Sequence, residues 1–152
     1  MAAPTSSTPK PITPAVVAAP AAPAAPAVTL TNGVTYKAGE LPLPFTPADM
    51  WAYTVAQEKQ LPPLEYDHPY NGTVYLYQAD NQADMRVKCN RPDLPPSVPL
   101  FGCSWAANKD HPCVIVVGDM PTIQRWGWTR NIVIRHEIGH CSGWPSDHSG
   151  AR

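Results

Sequence analysis

Proline placement sets the first limit on what this chain can build. Each proline removes a backbone donor and fixes φ, so proline stops helices and is excluded from central strands. The 152-residue chain carries 20 prolines, crowded towards one end. Residues 1–28 are a Pro/Ala/Ser/Thr tract that includes AAPAAPAAPA at residues 18–27. Alanine offers little area to bury, so this stretch reads as an extended, semi-rigid tail or linker without a core. Folding is left to residues 29–152, a length suited to one domain.

Within that domain, residues 28–31, Asn32-Gly33 and residues 34–36 predict a hairpin, because Asn-Gly supplies the positive φ angles of a tight turn between β-branched flanks. Residues 39–45 contain Pro42 and Pro44 and should be extended coil. Thr46-Pro47-Ala48-Asp49 predicts a helix start, with a cap, a proline in the first turn and an early acid. That helix should run to about Gln60, where Pro62-Pro63 ends it. Residues 64–72 read as loop and residues 73–78 as a strand. Asp80 is the expected cap of a short helix through Cys89, with Met85 on its inner face; a longer strand is the alternative. Residues 90–100 are proline-rich loop. Residues 103–105 and 113–117 flank a polar turn and predict a second hairpin. Its second strand is apolar on both faces and should be central. A last helix should start near Thr129 and end at Ser142, with Gly143 as a left-handed stop and Pro145 beyond it. These elements predict an α+β fold: a small, mainly antiparallel sheet packed against the last helix.

Composition excludes several partners. The formal net charge is −1, so no basic excess points to nucleic acid or an anionic membrane surface. No stretch is apolar enough for long enough to span a bilayer. The N-terminus has no unbroken apolar run of the kind a signal peptide needs, since prolines interrupt residues 15–28. Four cysteines, Cys89, Cys103, Cys113 and Cys141, favour two disulfides and an oxidising, secreted or periplasmic setting. The absence of a C-x-x-C pair argues against a cysteine zinc site. We expect Cys103 to bridge the second hairpin to Cys113, and Cys89 to pair with Cys141.

The chemistry is concentrated in the last helix, which carries His136-Glu137-Ile138-Gly139-His140. Residues four apart lie on one helix face, so His136 and His140 can offer imidazoles to one metal ion. Glu137 follows the first of them and can take a proton from water beside that ion without ligating it. Ile132, Ile134 and Ile138 supply apolar positions around the histidines. Gly139 would let another group approach the helix closely. A catalytic zinc needs a third protein ligand and one open position. Asp147 and His148 follow the stop at Gly143, and His148 is the better match to two imidazoles. Asp147 is the alternative ligand, or an orienting partner for a ligand histidine. His68 and His111 sit in loops and read as ordinary surface histidines. Asn71-Gly72-Thr73 fits a glycosylation acceptor but reads first as a turn. Trp105, Trp126, Trp128 and Trp144 read as core aromatics, with Trp126 and Trp128 also placed to line a cleft wall.

The segment 136–148 resembles the H-E-x-x-H-x-x-G part of the metzincin signature. It departs from it at Ser146, which stands where that family has its third ligand, and no methionine turn follows. The resemblance implies a zincin-like enzyme with Zn2+ on His136 and His140, and Glu137 as general base in peptide hydrolysis; His148 is the third ligand we expect from its imidazole. The resemblance also implies an edge strand that binds an extended peptide or protein substrate, with peptidoglycan cross-links a further possibility. The competing expectation is a non-catalytic metal-binding or interaction module, tethered by the proline-rich tail to an envelope or phage assembly. Substrate specificity and oligomeric state are not readable from the sequence.

Overall fold

A computed structural model describes residue 26, residue 30, residues 32–56 and residues 60–152. Most of the expected tail, and residues 28, 29 and 31 of the first predicted hairpin, lie outside the described residues. The second arm of that hairpin is strand β1 (Val34–Tyr36), preceded by Asn32 in the left-handed region at φ 64°. Helix α1 (Pro47–Val55) starts as expected. Thr46 and Asp49 form a reciprocal capping box, and Pro47 lies in the first turn. The helix caps at Ala56, short of Gln60. A 3-10 turn at Leu64–Tyr66 follows inside what was expected to be plain loop.

Strand β2 (Val74–Gln78) matches its expected span. Helix α2 (Gln82–Lys88) is capped by Asn81, not Asp80; the Asn81 side chain accepts from the Asp84 amide. Met85 is fully buried on the inner face of α2. Strands β3 (Gly102–Trp105) and β4 (Cys113–Val117) form the second hairpin. A further short helix, α3 (Met120–Arg125), was not foreseen; Asp119 caps it and Pro121 sits in its first turn. Helix α4 (Arg130–Cys141) is capped by Thr129 and ends at Ser142. Gly143 then takes φ 105°, the predicted left-handed stop.

The sheet runs β1-β2-β4-β3. β1–β2 and β3–β4 are antiparallel, but β2–β4 is parallel over five paired residues. The expected mainly antiparallel sheet is therefore a mixed one. A parallel pair needs a crossover connection, and the chain between β2 and β4 supplies it through α2. β4 is central and every one of its residues is buried.

Side chains alternate across a strand, and this splits the core in two. Cys113, Ile115 and Val117 face α4, with Val74, Leu76, Ile132, Ile134 and Ile138 in one cluster. Val114 and Val116 face α2, with Trp105, Met85 and Cys89 in the other. The same alternation corrects the disulfide pairing. Cys103 pairs in register with Val116 and so lies on the α2 side, where it bonds to Cys89. Cys113 lies on the α4 side and bonds to Cys141. Cys103 and Cys113 share a hairpin but point to opposite faces, so no bridge between them forms. Both cysteine pairs fit an oxidising environment. Among the described residues no helix is long and apolar enough to cross a membrane.

Candidate metal centre

Helix α4 is held on more than one side, which fixes where its histidines point. Ile132, Ile134 and Ile138 are each 1% exposed, and burying one such side chain stabilises by roughly 1.5–3 kcal/mol. The Cys113–Cys141 bridge ties the last turn to β4. Asn131 donates to Asp49 at 2.8 Å, tying the first turn to α1. On the side away from the sheet, residues 60–67 run as a strap. Gly139 accommodates that strap: a Cβ there would lie 2.7 Å from Cβ of Pro62. The close approach expected at Gly139 is therefore made by the protein itself.

His136 and His140 lie one turn apart, and the chain after Gly143 folds back to bring His148 beside them. Their Nε2 atoms form a nearly equilateral triangle. The edges are 3.1 Å (His136–His148), 3.2 Å (His136–His140) and 3.2 Å (His140–His148). Among the described residues this is the one group of three histidine, cysteine or acidic side chains that could hold a metal ion. Tetrahedral zinc with Zn–N near 2.05 Å needs donor–donor edges of about 3.3 Å, so the triangle fits such an ion closely.

The other ring nitrogens explain why Nε2 is the free donor. Nδ1 of His136 lies 2.6 Å from the Gln60 carbonyl oxygen, and Nδ1 of His140 lies 2.8 Å from that of Trp144. A carbonyl only accepts, so each Nδ1 carries the proton and each Nε2 presents a lone pair. Lone pairs converging at this distance repel unless a cation lies between them. Trp144 also stacks on His140, with ring centroids 4.7 Å apart and planes 10° apart. Its indole nitrogen donates to Ser149 O at 2.8 Å, which holds the returning loop. His148 takes φ 57°. Asp147 lies outside the triangle, and its carboxylate accepts from the Ser149 amide at 2.9 Å.

Glu137 is 5% exposed. The Ser104 hydroxyl donates to its Oε2 at 2.7 Å. Burial pushes the Glu137 carboxyl up, against the opposing pull of His140, the Ser104 hydroxyl and His148. Burial pushes His136 down to about 4, opposed by the Gln60 carbonyl and assisted by His148. Burial lowers His140 too, with Glu137 opposing. His136 and His140 are thus held neutral, the form a metal ligand requires.

A cavity of about 190 Å³ adjoins the centre. Leu100, Phe101, Trp128 and Ile132 give it apolar walls, and His136 and Glu137 border it. Trp128 is thus a cleft-wall residue, as its place before α4 suggested. Among the described residues strand β3 is the outer strand of the sheet, and it places Gly102 on this cavity.

Other expectations fall elsewhere. His68 is exposed, and its ring contacts the neighbouring Pro69 carbonyl. His111 contacts the Pro112 carbonyl and Asn108. Neither joins the triangle. Sequence reasoning missed Ser104, Gly102 and Gln60. Gly102 at the start of a β-strand was the one visible signal, since an interior strand glycine marks close approach. The chain matches no known family, no curated protein and no solved structure.

Proposed function

We propose that this protein is a zincin-like zinc peptidase that hydrolyses peptide bonds, with His136, His140 and His148 as metal ligands and Glu137 as general base. The observation that carries the reading is the Nε2 triangle with a buried, hydroxyl-oriented carboxylate on the same helix. Zinc in such a site supplies Lewis acidity, which polarises a carbonyl oxygen and acidifies water near neutral pH. Glu137 takes the proton of the attacking water and returns it to the leaving nitrogen. Ser104 holds one carboxylate oxygen and so fixes the orientation of the other.

The substrate reading rests on the walls of the site. The apolar cavity beside Glu137 suits a large aliphatic or aromatic side chain flanking the cleaved bond. The outer edge of β3 suits an extended chain added as a further strand. Both favour a peptide over a peptidoglycan cross-link.

Elemental analysis of purified protein, followed by a peptide-library digest read by mass spectrometry, tests the reading. About one zinc per chain is expected, with cleavage next to large apolar residues. Glu137→Gln should keep the zinc and lose turnover; His136→Ala should lose both. A Glu137→Gln variant with full activity would sink the base assignment. Zinc at full occupancy without any cleavage would favour the non-catalytic module.

A further inference from the structure

The two segments that carry the metal ligands are joined by a carboxylate that lies outside the ligand set. Asp67 closes the strap of residues 60–67, and its side chain is only 3% exposed. It receives two guanidinium groups. Arg135 donates through Nε at 2.5 Å and through a terminal nitrogen at 2.9 Å. Arg152 donates to the second oxygen. Arg135 directly precedes His136 on α4. Arg152 follows His148 through a short turn, in which the Ala151 amide donates to the His148 carbonyl at 3.2 Å.

The strap is fastened to the same two segments by its backbone. Leu61 and Arg152 exchange main-chain hydrogen bonds at 3.1 Å and 2.8 Å. Arg152 Nε donates to the Pro62 carbonyl at 2.8 Å. Gln60, next to Leu61, holds Nδ1 of His136. The contacts form a closed circuit: His136, Gln60, the strap, Arg152, His148 and back to His136. Asp67 is a charged group that touches both arms of that circuit, through Arg135 and through Arg152. Without its charge the two partly exposed guanidinium groups face each other with no shared anion.

We infer that Asp67 is a positioning residue for the metal centre, which with Arg135 and Arg152 sets the spacing between His148 and the helical pair. The inference rests on the metal-centre reading above. His148 follows a loop and has a left-handed backbone, so its place in the triangle depends on what anchors the chain around it. Arg152 and Asp67 provide that anchor from one side, as Trp144 and Ser149 do from the other.

The test uses the full chain as wild type, Asp67→Asn and Arg152→Gln, with Asp84→Asn as control. The control breaks a simpler ion pair with a more exposed carboxylate, to Lys88 on α2, in a helix that packs on the other face of the sheet. Zinc affinity is read by chelator competition, and site geometry by the visible absorption of bound Co2+. Asp67→Asn and Arg152→Gln should weaken zinc roughly 10–100-fold, the range for outer partners of metal ligands, and alter the Co2+ bands. Asp84→Asn should match wild type. An Asp67→Asn protein with wild-type affinity and spectrum overturns the inference. So does a metal-free form that is merely less stable while its folded molecules bind zinc as wild type does. If Asp67→Asn does not fold, Arg152→Gln carries the test, since it keeps the Asp67–Arg135 pair. Wild type that binds neither ion would instead bring down the metal-centre reading itself.

Discussion

Gly102 and Glu137 are packed so closely that a Cβ on the glycine would lie 2.8 Å from Oε1 of the carboxylate. The same Cβ would lie 2.9 Å from Val133 on α4. The bare backbone at the start of β3 is therefore what lets the carboxylate occupy its place. Gly102→Ala should push Glu137 aside while leaving the three imidazoles in position. The expected outcome is zinc bound at wild-type stoichiometry with kcat/KM down by about 100-fold, the scale on which a misplaced catalytic group acts. Metal analysis beside peptide kinetics checks it; unchanged kinetics would refute the steric argument.

Ser104 donates to the charged form of Glu137 and so favours it. Ser104→Ala removes that help, and the carboxyl pKa rises further. A general base must be deprotonated to act, so the acidic limb of the kcat/KM profile should move to higher pH. A pH–rate profile of the variant reads the shift. A limb that stays in place would mean that the hydroxyl does not tune the carboxylate.

Acid should loosen the metal-free protein through its histidines. His136 is held at about 4 in the folded state against an ordinary 6.5, so the unfolded chain takes up its proton first. The stability this neutral histidine contributes is present above about pH 6.5 and is lost as pH falls towards 4. At about 1.4 kcal/mol per unit it reaches up to about 3 kcal/mol. His140 is lowered as well and acts with the same sign. Glu137 is raised and acts with the opposite sign: its contribution is present at low pH and lost as pH rises through its folded pKa. In Glu137→Gln, where the opposing group is gone, urea unfolding of the metal-free protein should show lower stability at pH 5 than at pH 7, and a larger change between the two than in wild type.

Cys113 and Cys141 close a loop of 28 residues beside the metal centre. Chain-entropy arguments give such a bridge about 3–4 kcal/mol. Non-reducing peptide mapping should recover Cys113–Cys141 and Cys89–Cys103 peptides. The double variant Cys113→Ala/Cys141→Ala should lose stability on that scale and bind zinc more weakly, because Cys141 adjoins His140. A Cys103–Cys113 peptide as the main product would contradict the sheet geometry.

What the sequence made legible was local. Thr46 with Asp49 and Thr129 before Ile132 are caps written in consecutive residues, and His136 with His140 follow from the helical repeat. His148 was readable as a candidate because Gly143 reverses the chain and an imidazole matches the helical pair better than the Asp147 carboxylate. What stayed hidden depends on contacts distant in the chain. The run 113–117 is apolar throughout, which says it is central but not which neighbour it takes or in which direction. The disulfide pairing was lost with that choice, since faces can be assigned only once register is known. Asp67, Gln60 and Ser104 reach the centre across the fold, and no spacing announces them.

The parallel β2–β4 ladder also governs how quickly this protein can form. A short loop of residues 106–112 joins β3 to β4, so that pairing is a local event. Val74–Gln78 must instead meet Cys113–Val117 across a long intervening loop. The entropy of closing that loop is lost before the central strand repays it. The Cys89–Cys103 bond lies inside the loop and shortens the search by pinning α2 to β3. The bridge farther from the histidines would thus act mainly on the rate of folding, and the one beside them on how long the folded site endures.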